Sequence, residues 1–418
     1  MIAEIVTVGD ELLLGSTVNS NAAWLGDRLD RLGFRTRRVV TVGDDLEAIS
    51  AAVESSIGSS DLVVITGGLG PTHDDVTKKA IADMLGVDLI TDPIVEEELR
   101  TRFERRGRPF TAGRQSMAKV PEGFEAFSNP VGTAPGLFYV REGARRCGLL
   151  VLPGVPYEMK AIVDTYAEQI VRRLAQDVKR LHRTFLTAGI TENRLEEIVQ
   201  DLIDNRHPDV RFALLPDAKT GVRLRVSVDS AHAAEAQKHL DTVTEGVVQR
   251  LGTLVYGFDT EVLEDVVGSL LRESGLTLAL AESCTGGLIA DRITDIPGSS
   301  DYFRGGVIAY DNSVKMHLLD VSSESLERHG AVSRQVAIEM AAGCRKRLGA
   351  DIGLSATGVA GPGGGTPEKP VGTVYLGLST DEKELAIELK LTENRSLNKM
   401  LTSTAALNLI RRFVLRLD

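Results

Sequence analysis

The chain has 418 residues, of which 43% are hydrophobic, so it can build several packed cores, and typical domain lengths predict roughly three domains. The formal net charge of −11 disfavours a protein that mainly grips phosphate backbones, whereas small anionic substrates remain compatible with it. The sequence has no apolar run long enough to span a bilayer, no signal-peptide pattern, and three widely spaced cysteines that form neither a disulfide framework nor a zinc knuckle, so we expect a cytoplasmic protein without a membrane partner.

Residues 1–175 alternate between strand and helix patterns. The predicted strands are 2–8, 38–42, 61–66 and 148–152, and the predicted helices are 20–32, 45–57, 75–85 and 156–174. This alternation predicts a doubly wound α/β domain with a parallel sheet covered on both faces. Ligands of such sheets bind at the carboxyl ends of the strands, so the loops that follow strands are the places to search.

One of these loops, in VITGGLGPTHDDVTKKAI (64–81), combines glycines with adjacent acidic residues. Its glycine amides can point at an anion at the start of a helix, and two carboxylates beside a phosphate require a bridging cation such as Mg²⁺. The alternative is that Asp74 caps the helix and Asp75 improves its dipole. Further loops at 9–21, 129–136 and 152–159 add polar residues. The candidate metal ligands are Asp10, Glu11, Asp74, Asp75 and Glu158, and the candidate substrate-binding residues are Gly67, Gly68, Gly70, Thr72, Gly132 and Thr133.

Residues 176–257 predict the order β-α-β-β-α-β. The segment shows no dense cluster of chemical residues, so we interpret it as a spacer or assembly domain. An RNA-binding KH-type module would need a GxxG clamp, and none lies between residues 181 and 256. We therefore do not expect a nucleic-acid partner.

Residues 258–418 return to α/β alternation, with strands expected at 276–281, 305–310, 351–356, 371–378 and 384–390 and helices at 285–295, 333–348 and 395–415. In TLALAESCTGGLIADRI (277–293) a buried strand leads to Ser283 and then to a helix. A hydroxyl there can meet unpaired amides at the positive end of the helix, and Gly286 and Gly287 can leave amides for an oxyanion. The alternative is an N-cap formed by Ser283 or Thr285.

Two further loops follow strands of the same sheet. GGVIAYDNSVK carries Tyr310, Asn312 and Lys315, and SATGVAGPGGGTPEKPVGTVY carries Thr357 and a glycine-rich run. The run lacks the GxxxxGK[ST] order of a nucleotide-binding loop and suits a substrate loop better. Lys315 can serve as the base for Ser283 if burial lowers its pKa. A Ser-His-Asp arrangement with His317 or His329 is the competing interpretation, although both histidines lie in surface-like helical patterns.

The C-terminal motifs together resemble the CinA family. The hexapeptide ESCTGG, PGSS (297–300), the Tyr-x-Asn-x-x-Lys loop, GVAGP and KPVGTVY match that family's C-terminal domain in order, over most of 277–378. The resemblance implies an α/β amidohydrolase that deamidates nicotinamide mononucleotide without a cofactor. It implies Ser283 as the nucleophile, assisted by Lys315 and Tyr310, with Thr357 as a further site hydroxyl. A family arginine falls on Arg395, although this chain reads ENR where GDR is usual. The implied substrate contacts are Thr285, Gly286, Gly287, Asn312, Gly358, Ala360 and Gly361.

The N-terminal loops resemble the molybdopterin-binding-like domain of the same family. The resemblance implies a MogA-like fold and a divalent-metal-dependent hydrolysis of ADP-ribose to AMP and ribose 5-phosphate. Small-molecule nucleotides are therefore the expected partners of a bifunctional enzyme of pyridine-nucleotide salvage, which we expect to be a homodimer. Two alternatives stay open: an N-terminal domain that only holds a pterin or nucleotide, and an interaction protein of DNA uptake or repair.

Overall fold

The computed structural model describes residues 1–143, 145–174, 179–230 and 232–417. Contacts divide the chain into two compact units, one of Met1–Leu181 with Val228–Gln237 and one of His182–Ser227 with Lys238–Asp418. The predicted domain boundary at residues 175 and 176 lies outside the described residues, and the three-way division stays a prediction. Within the described part of the chain, no helix is both long enough and apolar enough to cross a membrane.

The N-terminal domain contains a six-stranded mixed sheet with the order β2-β1-β3-β8-β7-β6 and a separate antiparallel pair, β4-β5. The strands are β1 (Ile2–Val8), β2 (Arg35–Val42), β3 (Leu62–Thr66), β4 (Leu89–Thr91), β5 (Lys119–Pro121), β6 (Glu125–Phe127), β7 (Gly136–Arg141) and β8 (Cys147–Leu152). The helices are α1 (Asp10–Leu13), α2 (Ser20–Arg31), α3 (Leu46–Ile57), α4 (Thr77–Leu85), α5 (Pro93–Arg105), α6 (Ala112–Gln115) and α7 (Pro156–Leu174), with a 3₁₀ turn at Ser116–Ala118.

The predicted parallel sheet is confirmed for β2, β1, β3 and β8. Alternate residues of β1 serve opposite cores: Ala3 and Ile5 pack with α2 and α7, whereas Val6 and Val8 pack with α3, α4 and α5. The expectation of an all-parallel sheet is wrong at one edge, where β7 and β6 run antiparallel. The links around β7 are too short for the crossover of a dozen or more residues that parallel strands need.

The middle segment has the predicted β-α-β-β-α-β order. It consists of β9 (Lys179–Thr187), α8 (Glu192–Asp204), β10 (Val210–Asp217), β11 (Gly221–Ser230), α9 (Ala233–Leu251), a 3₁₀ turn at Gly252–Leu254 and β12 (Val255–Phe258). The four strands form one sheet in the order β10-β11-β9-β12.

The C-terminal domain is a five-stranded sheet in the order β14-β13-β15-β16-β17, with helices on both faces. Its elements are α10 (Leu263–Ser274), β13 (Leu278–Glu282), α11 (Leu288–Thr294), a 3₁₀ turn at Ser299–Asp301, β14 (Phe303–Ile308), α12 (Asn312–Leu319), α13 (Ser323–His329), α14 (Arg334–Leu348), β15 (Ile352–Gly358), β16 (Thr373–Ser379), β17 (Glu384–Lys390) and α15 (Arg395–Val414). Strand β13 runs parallel to both β14 and β15, so the carboxyl ends of these three strands share one edge.

A shared core joins the middle segment to the C-terminal domain. Leu186, Ala188 and Tyr256 belong to the same buried apolar cluster as residues of α10, β13 and α15. Arg292, which is 2% exposed, pairs with buried Glu264 at 2.6 Å and donates to the Lys219 carbonyl of the β10–β11 turn at 3.0 Å. These parts of the middle segment therefore pack with the C-terminal domain within one compact unit.

Candidate active sites

The three C-terminal loops that carry the predicted catalytic residues meet at one edge of the sheet. Ser283 directly follows β13, and its amide donates to the Ala356 carbonyl of β15 at 2.9 Å. On the other side, the Ala309 amide at the end of β14 donates to the Glu282 carbonyl at 2.7 Å. Ser283 therefore lies between the loop of Tyr310 and the loop that follows Thr357, as the strand pattern predicts.

The N-terminus of α11 is capped by Glu282 rather than by a hydroxyl. The buried Glu282 carboxylate accepts hydrogen bonds from the amides of Gly287 (2.9 Å), Ile289 (3.1 Å) and Ala290 (2.8 Å). The alternative of an N-cap formed by Ser283 or Thr285 is therefore wrong, and so is the expectation that Ser283 meets unpaired amides at this helix end. The sequence signal for Glu282 was weak because a carboxylate on the last residue of a buried strand reads as part of that strand.

The backbone amides that remain free in the Ser283 turn differ from the expected ones. The Gly286 amide donates to the Ser283 carbonyl at 3.2 Å, and the Gly287 amide is held by Glu282. Within the described residues, the amides of Cys284 and Thr285 have no hydrogen-bond acceptor. The Thr285 hydroxyl is also buried without a partner. Unsatisfied donors beside a hydroxyl nucleophile are the feature that an oxyanion hole requires.

Lys315 has the environment that a lysine base needs. The side chain is 1% exposed, and its Nζ donates to the carbonyls of Ala309 at 2.8 Å and Tyr310 at 3.1 Å. Desolvation by burial lowers the pKa of Lys315, against smaller opposing effects of Asp311 and Cys284. Burial favours the neutral amine, and the two carbonyls fix its position below the Tyr310 loop.

Arg395 connects two of the predicted site loops. Its guanidinium donates to the Tyr310 hydroxyl at 3.0 Å and to the Gly361 carbonyl at 2.9 Å. The departure from the family's usual triplet therefore does not remove this arginine from the strand edge. Tyr310 itself is 62% exposed, so its hydroxyl faces the open side of the loop.

Of the other predicted C-terminal residues, some hold the loops in place and others are exposed. Thr357 is buried and donates to the Ala331 carbonyl at 2.8 Å. Asn398 on α15, which the sequence reasoning missed, donates to the Ala360 carbonyl at 3.0 Å and so anchors the glycine-rich loop. Gly358 packs against β16, where a Cβ would meet Val374 at 2.6 Å. Asn312 is exposed at the start of α12.

Cys284 lies under the glycine-rich loop, in a small apolar cluster with Ala360 and Val374. Burial raises the pKa of its thiol to about 12. The thiol beside the predicted nucleophile is therefore protonated and is no competitor to it. His317 and His329 are both exposed on their helices, and among the described residues neither has a side-chain hydrogen bond to Ser283, which leaves the Ser-His-Asp interpretation without support.

In the N-terminal domain, Asp75 organises the glycine-rich loop from within. Its carboxylate accepts hydrogen bonds from the Gly70 amide at 2.7 Å, from the Thr72 amide at 2.9 Å and from the Thr72 hydroxyl. The Gly67 amide donates to the Leu152 carbonyl at 3.1 Å, and a Cβ on Gly68 would collide with the Thr77 hydroxyl. The expectation that the amides of Gly67 and Gly70 face an external anion is therefore wrong for this conformation.

Asp44, in the loop after β2, interacts with carboxylates of the loops after β1 and β3. The amide of Asp10 donates to the Asp44 carboxylate at 3.0 Å, and the amide of Asp44 donates back to Asp10 at 3.3 Å. Burial raises the pKa of Asp44, and the charges of Asp10, Glu11 and Asp74 raise it further. Asp44 was missed because it follows a strand that the sequence reasoning left unsearched. Asp74 is exposed and α4 begins after Val76 without a side-chain cap, so the alternative of an Asp74 cap is wrong.

Glu158 holds the loop at 129–136. Its carboxylate accepts from Asn129 Nδ2 at 2.6 Å and from the Thr133 amide at 3.3 Å, and a Cβ on Gly132 would overlap it. The Glu158 carboxylate is buried and engaged in hydrogen bonds that hold the loop in place. In the part of the chain that the structure describes, the predicted metal residues do not form a group of three with ligand atoms within 4.8 Å of one another.

Lys78 is a second buried lysine that the sequence reasoning missed. Its Nζ donates to the Ser116 carbonyl at 3.1 Å, and desolvation lowers its pKa to about 8, although Asp75 raises it. A lysine in the first turn of α4 has the pattern of a surface residue, and the sequence does not show that its amine contacts the carbonyls of the 3₁₀ turn.

Comparisons with known proteins agree with this architecture along the whole chain. Family models match residues 4–173 ("Probable molybdopterin binding domain"), 182–257 ("Damage-inducible protein CinA KH domain") and 260–414 ("CinA C-terminal domain"). The CinA-like protein of Salinibacter ruber is 46% identical over 412 residues, covering 99% of both chains. The CinA-like protein of Chloroherpeton thalassium is 42% identical over 419 residues, covering 98% of this chain and 99% of its own.

Among solved structures, the protein CinA "with unknown function" from Thermoplasma acidophilum is 40% identical, with a TM-score of 0.37, and covers 40% of this chain and 97% of its own. The family models show that this mixed α/β protein joins a molybdopterin-binding-like domain, a KH domain and a CinA C-terminal domain. It belongs to the CinA-like protein family. The middle segment matches a KH model although it has no GxxG clamp, so a missing clamp does not exclude the KH family, and its role as a spacer or assembly domain stays a prediction.

Proposed function

We propose that the C-terminal domain is a serine amidohydrolase that converts nicotinamide mononucleotide to nicotinate mononucleotide and ammonia. The observation that carries this proposal is the meeting, at one sheet edge, of the Ser283 turn and a buried lysine whose pKa is lowered. An amide is cleaved by an activated hydroxyl, a base and an oxyanion hole, and this edge offers a candidate for each of the three.

The neutral form of Lys315 fits the role of the base. A neutral amine has two N–H groups and one lone pair, so it can keep both bonds to the Ala309 and Tyr310 carbonyls while its lone pair accepts the Ser283 proton. The Ser283 oxygen then forms a bond to the carboxamide carbon, and the amides of Cys284 and Thr285 stabilise the oxyanion. Collapse of this intermediate breaks the C–N bond, and the leaving nitrogen takes the proton from Lys315 to depart as ammonia. Water hydrolyses the remaining ester, with Lys315 again as the base.

Two positively charged side chains near the Ser283 turn favour a phosphorylated substrate. Arg395 spans the Tyr310 and Gly361 loops, and Lys399 Nζ lies 3.7 Å from the position that a Cβ would take on Gly286. Lys399 was missed because it lies on α15, far along the chain from the motif it faces. Positive charge beside the predicted nucleophile attracts a nucleotide phosphate on a protein that is acidic overall.

Ser283→Ala tests the proposal directly. We expect ammonia release from nicotinamide mononucleotide to fall about a thousandfold or more, because no other hydroxyl replaces the nucleophile. Ser269→Ala, on α10, is the matched control and should retain activity. Retention of more than a few per cent of activity by Ser283→Ala would refute the nucleophile assignment, and an inactive wild-type protein would refute the reaction.

We propose further that the N-terminal domain hydrolyses ADP-ribose with a divalent metal. The supporting observation is the raised pKa of Asp44, which burial raises first and the charges of Asp10, Glu11 and Asp74 raise further. Carboxylate oxygens are the ligands that Mg²⁺ prefers, so Asp10, Asp44 and Asp74 fit such an ion better than Asp75 and Glu158, which are bonded within their loops. When bound, the ion would neutralise the diphosphate and polarise its P–O bond. The polar loops of this domain would orient the nucleotide.

The test measures AMP and ribose 5-phosphate with and without added Mg²⁺. Activity should require the metal and should fall at least about tenfold in Asp74→Asn, whereas Asp88→Asn, an exposed acid outside the cluster, should behave like the wild type. Full activity in excess chelator contradicts the metal role. Nucleotide or pterin binding without product would favour the binding-module alternative, and salt-dependent DNA binding would favour the interaction-protein alternative.

A further inference from the structure

A third group of polar side chains lies in the middle segment, away from both candidate sites. His207 follows α8, Asp209 directly precedes β10, and His239 lies on α9. Each offers one ligand atom, and these atoms all lie within 4.8 Å of one another. Within the described residues, no other group of three His, Cys, Asp or Glu side chains meets that condition. The expectation that this segment holds no cluster of chemical residues is therefore wrong, because the fold unites residues that are distant in sequence.

The geometry of the cluster is compact. The rings of His207 and His239 have centroids 4.2 Å apart and an interplanar angle of 34°. Asp209 Oδ2 lies 3.5 Å from His207 Nδ1, and the Asp209 amide makes a long hydrogen bond of 3.3 Å to the same nitrogen. The turn that creates this arrangement is closed by the Val210 amide, which donates to the His207 carbonyl at 2.9 Å.

One group in the cluster lacks a partner. His239 Nδ1 is shielded from solvent and makes no hydrogen bond. A buried polar atom without a partner is unfavourable and calls for an explanation such as a bound ion. By contrast, the side chains of His207 and Asp209 are 50% and 41% exposed, so an ion can reach the cluster from solvent.

We propose that His207, Asp209 and His239 bind a divalent transition metal ion of the zinc class. Two imidazoles and one carboxylate are a typical three-ligand set for Zn²⁺, with water in the fourth position, whereas Mg²⁺ and Ca²⁺ prefer oxygen ligands. Bonds of about 2.0–2.2 Å bring the ligand atoms of a tetrahedral site to about 3.3 Å from one another. The cluster reaches that spacing by small rotations of the two half-exposed side chains. The ion links the α8–β10 turn to α9 and stabilises the segment against opening.

The experiment uses the full-length protein, stripped with chelator and returned to buffer with excess Mg²⁺. The magnesium is added to compete for oxygen-rich sites such as the proposed N-terminal carboxylate site. Titration with Zn²⁺ in a calorimeter should then show one ion bound per chain and a higher melting temperature. His239→Ala and Asp209→Asn should each weaken that affinity at least about tenfold. His329→Ala, an exposed histidine outside the cluster, should bind as the wild type does, and so should Asp74→Asn.

Two results would overturn the proposal. One is the absence of Zn²⁺ binding under these conditions, which leaves only two imidazoles in tilted contact. The other is binding that persists unchanged in both His239→Ala and Asp209→Asn. Circular dichroism of the metal-free variants separates loss of a ligand from loss of the fold. Asp209→Asn changes a half-exposed side chain in a turn and therefore gives a reading even if His239→Ala does not fold.

Discussion

Lys315 sets the expected pH dependence of the amidohydrolase reaction. Burial lowers its pKa from the usual 10.5, and only the neutral amine can accept the Ser283 proton. The value of kcat/KM should therefore rise as the pH increases through the lowered pKa and level off above it. Lys315→Arg, whose side chain stays charged at all accessible pH values, should lose activity about a hundredfold or more and lose this acid limb.

The matched control for this pH profile is Lys346→Arg, which changes an exposed lysine near the end of α14. It should keep both the rate and the acid limb. If the residual activity of Lys315→Arg still rises with pH at the same midpoint, the group that titrates is not Lys315.

At the residue scale, the sequence predicted the site residues that follow strands but not the side chains of other elements that contact them. Ser283, Tyr310 and Lys315 are recognisable because each lies within a few residues of a strand end. Lys399 and Asn398 contact the same edge from α15, and no spacing rule connects them to it. The free amides could not be predicted either, since Glu282 captures the amide of Gly287 and leaves those of Cys284 and Thr285.

The start of α11 depends on one side chain. The Glu282 carboxylate accepts hydrogen bonds from three backbone amides. In Glu282→Gln one acceptor oxygen becomes the NH₂ group of a carboxamide, which is a donor and cannot accept from a backbone N–H. We expect the free energy of unfolding to fall by about 2–3 kcal/mol, as measured by urea denaturation. We also expect kcat to fall, because the Ser283 turn is anchored by the same contacts.

Glu273→Gln on α10 is the control for this substitution, since Glu273 is exposed. It should leave both stability and kcat unchanged. A Glu282→Gln protein as stable as the wild type would show that the helix start is fixed by other contacts.

Among the elements, long periodic segments were predictable and short ones were not. The predicted helix at 156–174 and strands at 2–8 and 384–390 match the structure residue for residue. Strands β4, β5 and β6 have three residues each, too few to show a period. Strand β4 pairs with the equally short β5, and β6 pairs with the longer β7. The antiparallel edge of the N-terminal sheet was missed for the same reason.

For the whole molecule, we predict two separable activities, with the boundary drawn before the KH domain. A fragment of residues 182–418 should deamidate nicotinamide mononucleotide at the full-length rate and in excess chelator. A fragment that begins at residue 260 should melt at a lower temperature, because it loses Leu186 and Tyr256 from the shared core and leaves Arg292 without the Lys219 carbonyl.

Thermal denaturation and ammonia release on both fragments check this prediction. Equal melting temperatures would show that the packing of the KH domain adds nothing to stability. An inactive but folded 182–418 fragment would show that the N-terminal domain completes the site.

The three cysteines can report how often buried parts of the protein open. Cys147, Cys284 and Cys344 are all buried, and burial raises their thiol pKa values to about 11, 12 and 12. Alkylating reagents react with exposed thiolates, so the native protein should resist iodoacetamide until part of it opens. Cys284 is covered by the glycine-rich loop beside Ser283, so its alkylation rate measures how often that loop lifts, and a ligand that closes the loop should slow the reaction at this cysteine alone.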